Sequence, residues 1–279
     1  MTEQLYPGSR HSLPVRRPHF PFDASIPKHW AGGNAVASHA FNGLQLCFPA
    51  GERFFIQSVK DLLPYVDDEA LRRQARSFLG QEAMHTREHL RFNEILKAQG
   101  YRLEPFLGPF EKLIRFCGRR LPAKLRIAMT AGAEHYTAML GTLALTRPVM
   151  RDQMHPTVAQ LIVWHACEEV EHKAVAFDVM QAVGVGYPRR ILGYLIITAV
   201  LVSSAILSTR MLLRQDGLSR REISALTKQL PGSRVSSIRR EIRQGFRAYF
   251  RRDFHPNQQG DLGAARSELA KVGVDPGLA

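Results

Sequence analysis

The feature that most constrains this chain is a short pattern, [QE]-E-x-x-H, that occurs twice. It reads Gln81-Glu82-Ala83-Met84-His85 in the first half and Glu168-Glu169-Val170-Glu171-His172 in the second. An α-helix turns once in about 3.6 residues, so each copy sets a carboxylate and an imidazole on one helical face. His165 lies four residues before Glu169 and His89 four after His85, which keeps both on the same faces. A carboxylate buried without a partner is costly. Two such faces therefore suit a fold that brings them together around a cation.

The surrounding sequence supplies the helices. Residues from Met1 to about Asn42 are rich in Pro, Gly and His, and Pro14, Pro18, Pro21 and Pro27 oppose helix there. This arm, 1–43, is expected to be extended over a surface. Four long helices follow, at roughly 50–63, 68–98, 122–145 and 156–182, with a short amphipathic piece from Phe110 to Arg119. Their ends are marked by Pro64, by Asp67 or Asp68 as a cap, by Gly100, and by Pro122 and Pro156 in first turns. No stretch alternates with period two, so the expectation is an all-α protein with a four-helix bundle over 44–186.

Each of the other two bundle helices carries a carboxylate in apolar or small-residue surroundings. Glu52 precedes Phe54-Phe55, and Glu134 sits in Ala-Gly-Ala-Glu-His-Tyr. The order Glu, Glu-x-x-His, Glu, Glu-x-x-His is the ligand set of ferritin-like di-metal carboxylate proteins. Two divalent ions a few ångströms apart repel unless anions bridge them, and four carboxylates neutralise most of that charge. The expected metal ligands are Glu52, Glu82, His85, Glu134, Glu169 and His172, with His165 as a further candidate. His165 and His89 are the candidates for direct contact with the reacting molecule. Oxygen and imidazole donors suit iron best, with manganese or zinc as alternatives. Glu168, four before His172, competes with Glu169 for the ligand position. The spacing shared with Glu82 and His85 favours Glu169 and leaves Glu168 and Glu171 as supporting or surface groups. His135 and Tyr136 flank Glu134 and are candidates for supporting roles, while Cys167 is expected to pack.

Composition excludes several classes. A 45% hydrophobic content argues against wholesale disorder. Cys47, Cys117 and Cys167 form no Cys-x-x-Cys, which argues against a disulfide framework or thiolate zinc and for a reducing, cytoplasmic compartment. The opening residues MTEQLYPGSR lack an apolar core before a cleavage site, so no secretory signal is expected. The formal charge of +13 is concentrated: between Arg189 and Arg252 there are fourteen Lys/Arg against three Asp/Glu.

That segment, 187–255, reads as an appendage of two helices. Ile191 to Thr209 contains no charge, and nineteen residues at ~1.5 Å each reach about 28 Å, enough for the hydrocarbon layer of a bilayer. It is expected either to enter or lie on a membrane, at its inner face, or to be buried against the bundle or in a homodimer interface. Lys228 to Phe254 reads as a basic helix with Ile238, Ile242, Phe246 and Phe250 every fourth residue. Together 189–252 form a candidate surface for anionic lipid. Nucleic acid is disfavoured, because no helix-turn-helix or aromatic-basic interleaving is present. Residues 256–279 are expected to be a polar tail.

These residues give the chain a resemblance to the bacterial family described as "predicted metal-dependent hydrolase", a ferritin-like group. The resemblance rests on Phe48 to Phe55 (FPAGERFF), Phe78 to His89 (FLGQEAMHTREH), Ala133 to Ala138 (AEHYTA), Trp164 to Val179 and the FHPN near Phe254. It implies a metal enzyme with Glu52, Glu82, His85, Glu134, Glu169 and His172 at the ligand positions. The His-x-x-x-Glu-x-x-His run of His165, Glu169 and His172 is also similar to that of di-iron arylamine N-oxygenases, in which the additional His is a ligand. Three functions follow. The expected one is an O2-activating di-iron oxidase or oxygenase acting on a small apolar, lipid-like substrate. The alternatives are a hydrolase using a metal-bridging hydroxide, and a non-catalytic metal-binding protein at a membrane.

Overall fold

A computed structural model of the chain describes residues 13–147, 153–230 and 232–271, with side chains except at 232–235. It is all-α: the described residues contain no strand, only one isolated bridge between Ala31 and Met154. Eleven α-helices are described: α1 (Ala35–Gln45), α2 (Phe48–Leu62), α3 (Glu69–Ala98), α4 (Glu104–Arg120), α5 (Ala123–Leu145), α6 (Pro156–His172), α7 (Val175–Ala182), α8 (Tyr187–Gln215), α9 (Arg220–Gln229), α10 (Gly232–Ala248) and α11 (Leu262–Lys271).

Local chemistry accounts for the boundaries. The Asp68 carboxylate accepts from the backbone N–H groups of Ala70 and Leu71 and starts α3. Proline enters the first turns of α2, α6 and α8, where a missing N–H costs no helical bond. Ser219 and Glu222 close a reciprocal capping box at α9.

Helix α2 packs on α3 and α5, α5 packs on α6, and α3 touches α6 and α7. Their shared interior is apolar at both ends and charged in the middle. Val59, Phe78, Phe92, Ile127, Leu161 and Trp164 are fully or almost fully buried, and Glu52, Glu82, Glu134 and Glu169 are buried among them. The arm crosses this group. Phe20 packs against Trp164 and Phe22 against Phe92, with ring centroids 5.6 and 5.5 Å apart.

Several sequence expectations are corrected. The arm is not extended to residue 43: α1 begins at Ala35, with the Asn34 side chain accepting from Ala37 N–H. The prolines that oppose helix stop at Pro27, and nothing prevents helix beyond them. Helix α4 starts at Glu104 rather than Phe110, because Pro105 falls in its first turn and Pro109 is accommodated inside. The helix expected over 156–182 is interrupted at Lys173-Ala174, where the Lys173 ammonium leaves to donate to the Gln259 and Gly260 carbonyls. The appendage holds three helices: α9 stands between the apolar and the basic helix, and the basic helix expected over 228–254 spans Gly232–Ala248. The polar tail contains α11, whose Ala265 and Leu269 are buried and which packs on α6. Residues 1–12 of the arm and 272–279 of the tail lie outside the described residues.

Helix α8 is long and apolar enough to cross a membrane. One of its faces is committed to protein, lying along α5 and α1. A Cβ added at Gly193 would meet the Ala128 backbone carbonyl carbon and Cβ at 2.7 Å, and one at Gly43 would meet Thr209 N at 2.7 Å. Both glycines therefore permit approaches that no other residue allows at these distances. Tyr194, fully buried on α8, stacks on Tyr249 at 4.1 Å and on Tyr136 at 5.3 Å.

Candidate metal centre

Four helices deliver titratable groups to one volume. Glu52 comes from α2, Glu82, His85 and His89 from α3, Glu134 from α5, and His165, Glu169 and His172 from α6. None is more than 6% exposed. The spacing argument holds within each helix, and the packing of α3 against α6 makes the two faces meet.

Glu169 stands in the middle. Its Oε1 lies 2.8 Å from His165 Nε2, 3.5 Å from His85 Nδ1 and 3.8 Å from His172 Nε2. His172 Nε2 is also 3.4 Å from Glu82 Oε1, and His85 Nδ1 is 3.9 Å from Glu82 Oε2. Donor atoms of Glu82, His85, Glu169 and His172 lie within 4.8 Å of one another, as do those of Glu52, His89 and His165. The two sets adjoin through the His165 contacts to Glu169 and to His89, the latter 2.6 Å between ring nitrogens.

Outer groups orient the imidazoles. His85 turns Nε2 to Glu168 at 2.9 Å, so Nδ1 faces the centre. His172 turns Nδ1 to Glu134 at 2.9 Å and faces inward with Nε2. A carboxylate on the far nitrogen fixes tautomer and ring angle and raises the basicity of the inward one. Glu168 is itself held by Arg16, whose guanidinium donates to Glu168 at 2.9 Å and to Glu171 at 2.7 and 2.9 Å. The Thr86 hydroxyl donates to Glu52 Oε2 at 2.8 Å.

The electrostatics suit a bound cation. Burial, reinforced by the neighbouring carboxylates, pushes Glu82 well above the usual carboxylate range. Burial does the same to Glu52 against the opposing Thr86 hydrogen bond, and raises Glu134 against the opposing charge of His172. Burial would raise Glu169 too, but the His172 charge and the His165 hydrogen bond outweigh it and hold it low. Burial and the neighbouring His165 keep His85 and His89 neutral, as ligands must be.

Whether these residues fit a metal is decided by which atoms lack a partner. Glu52 Oε1, both oxygens of Glu82, His85 Nδ1, His89 Nδ1, Glu134 Oε1, Glu169 Oε2 and His172 Nε2 are buried without a hydrogen bond. Each such atom costs about 1–3 kcal/mol, so a cluster of them is costly unless a cation satisfies it. The trio His29, His39 and Asp216 also has metal-like spacing. There, however, the Asp216 carboxylate accepts from His29 at 2.8 Å, His39 at 2.7 Å and Tyr101 at 2.6 Å, and no atom is orphaned. That trio is a closed hydrogen-bond network. No thiolate competes at the main cluster: burial pushes the Cys167 thiol up to about 12. Oxygen and imidazole donors remain, and they fit iron or manganese.

Seven of the eight residues singled out in the sequence fall in the two donor sets, His89 among the donors rather than only facing the reacting molecule. Glu134, expected as a ligand, lies beside them with its Oε2 on the outer nitrogen of His172. Glu168 and Glu171, expected as supporting or surface groups, are both buried, and Glu168 orients His85. His135 and Tyr136 turn away: His135 Nε2 meets the Gly245 carbonyl and Tyr136 OH meets Thr198. Arg16 and Thr86 carried no sequence signal. Arg16 lies in a segment without periodicity, and Thr86 is recognisable only once α2 is placed beside α3.

A search of curated proteins and of solved structures finds no match to the chain. A family model described as "predicted metal-dependent hydrolase" matches residues 14–260, from the arm beside Arg16 through every residue of the cluster. By that match the chain belongs to the predicted metal-dependent hydrolase family.

Proposed function

We propose that the protein is an enzyme with a carboxylate-bridged dinuclear centre that activates O2 for oxidation of a small apolar substrate. The observation that carries the reading is the set of orphaned buried donors on Glu52, Glu82, His85, His89, Glu134, Glu169 and His172. Glu82, His85, Glu169 and His172 would hold one metal ion and Glu52, His89 and His165 the other. Iron suits these donors and the reaction. Reduced iron at such a centre supplies electrons for O2 reduction.

The protein's own groups bind, orient and exclude. Glu168 and Glu134 fix the rings of His85 and His172, and Thr86 holds one oxygen of Glu52. Phe48 packs on His89 and His165, Phe78 on His172 and Trp164 on His85, all with centroids 4.8–5.0 Å apart. This wall excludes water from the centre and favours an apolar substrate. The near-complete burial admits a diatomic molecule more readily than a polar ester.

The family description favours a second reading, hydrolysis by a metal-activated water. Anaerobic purification, metal analysis, and exposure of the reduced protein to O2 separate the two. Bound iron with O2 consumption supports oxidation. Zinc or manganese alone, with ester hydrolysis and no O2 uptake, overturns it in favour of hydrolysis. Glu169→Ala should abolish metal binding, whereas Glu168→Ala should weaken it; the reverse order would place the ligand role on Glu168.

A further inference from the structure

The face of α8 turned away from α5 and α1 is apolar and exposed. Leu192, Leu195, Val202, Ile206 and Leu207 are 44–59% exposed. At 100° per residue they fall on one stripe, about 22 Å long from Leu192 to Leu207. Arg189 stands before this stripe and Arg210 and Arg214 after it, all exposed and on the same side of the helix. A contiguous apolar stripe of this kind is uncommon on a soluble monomer and marks an interaction surface.

A second observation lies at the end of the stripe. A surface cavity of about 500 Å³ is lined by Lys28, Gly100, Tyr101, Arg102, Arg214 and Gln215. Its three cations are exposed, and none forms an ion pair among the described residues; Lys28 lies over the Tyr101 ring at 5.1 Å. The nearby Asp216 carboxylate accepts from His29, His39 and Tyr101 and forms no salt bridge with these three cations. Lined by these three cations, the cavity has the charge to attract an anion. Toward the other end of α8, where Phe246 and Phe250 pack on Tyr194, α10 carries the exposed Arg239, Arg240, Arg243 and Arg247.

We propose that α8 lies along the surface of an anionic bilayer, its Leu192–Leu207 stripe in the acyl boundary and a lipid phosphate in the Lys28–Arg102–Arg214 cavity. Charge complementarity selects this occupant over a second copy of the chain, which would bring arginines against arginines. The close approaches at Gly193 and Gly43 lock the opposite face into the protein, so the helix is half-submerged rather than crossing alone. The proposal is independent of the reaction at the metal centre.

Flotation of the full chain with vesicles tests it. Binding is expected to vesicles containing phosphatidylglycerol and not to phosphatidylcholine alone. Val202→Asp with Ile206→Asp should abolish it. Arg102→Glu with Arg214→Glu should weaken it by about tenfold or more, since each basic residue near an anionic surface contributes comparably. Circular dichroism confirms that these exposed variants fold. Equal binding to neutral vesicles would overturn the anionic bilayer as the occupant. No flotation, with inorganic phosphate alone protecting Arg102 and Arg214 from chemical modification, would reassign the cavity to free phosphate. A dimer that the Val202/Ile206 variant converts to monomer, without flotation, would give the stripe to a second copy.

Discussion

Replacing Arg16 by Met tests the link between the arm and the metal centre. The change keeps most of the apolar stem and removes three hydrogen bonds to Glu168 and Glu171, both fully or nearly fully buried. Breaking a buried ion pair by deleting one partner costs about 3–5 kcal/mol. Here the lower end applies for two reasons. Glu171 keeps Arg266 at 3.1 Å and Gln81 at 3.3 Å. Burial already raises Glu168 to about 7 in the presence of Arg16, so without it the carboxyl takes up a proton instead of staying charged. At ~2–4 °C per kcal/mol for a chain of this order, a loss of about 3 kcal/mol lowers Tm by roughly 6–12 °C. A neutral Glu168 also orients His85 less well, and loss of such an outer partner weakens metal binding by about 10–100-fold. Thermal melts and metal titrations read the two effects separately. Adding Glu168→Gln and Glu171→Gln to the Arg16→Met variant should recover much of the stability, because no buried charge remains, without recovering metal affinity. A melting temperature within about a degree of the parent, with metal affinity intact, would refute the reasoning.

Metal itself should stabilise the fold. At a free concentration near 100 Kd the gain is about 2.7 kcal/mol, or roughly 5–10 °C, seen by calorimetry with and without chelator; a chelator-insensitive melt would count against the centre. Gly193→Ala should cost about 1–3 kcal/mol by forcing α8 from α5, measured by urea unfolding; a neutral result would mean that the approach at Ala128 is easily relaxed. The Asp216 carboxyl is held below its usual 3.8: burial works to raise it, and the hydrogen bonds from Tyr101, His29 and His39 outweigh that. A depressed carboxylate contributes stability above the unfolded value and loses it as pH falls through the folded one. The Tm difference between parent and Asp216→Asn should therefore be full at neutral pH and shrink below pH 3.8; a difference that grows with acid would contradict the assignment.

What could be read in advance was what local spacing encodes. Glu82 with His85, and Glu169 with His172, need only a helix to share a face, and Pro156 and Asp68 announce those helices. Glu168 was visible as a rival of Glu169, but its service to the far nitrogen of His85 depends on how α3 meets α6. Arg16 is further from legibility, since its partners are more than 150 positions away and the arm has no period to place it. The prolines concealed α1 and the true start of α4 by marking neighbouring residues as unsuitable for helix. The break at Lys173 depends on carbonyls near residue 260, which no local pattern encodes.

The two sides of α8 live under different constraints. On the inner side, Gly193 and Tyr194 fit against α5, and a larger residue at position 193 has nowhere to go. On the outer side, Leu192, Leu195, Val202, Ile206 and Leu207 are 44–59% exposed, and none belongs to the metal centre. Polar residues at those five positions should leave Glu134 and its neighbours where they are. The helix can thus be repainted for a different environment, by evolution or by an engineer, while the chemistry behind it stays unchanged.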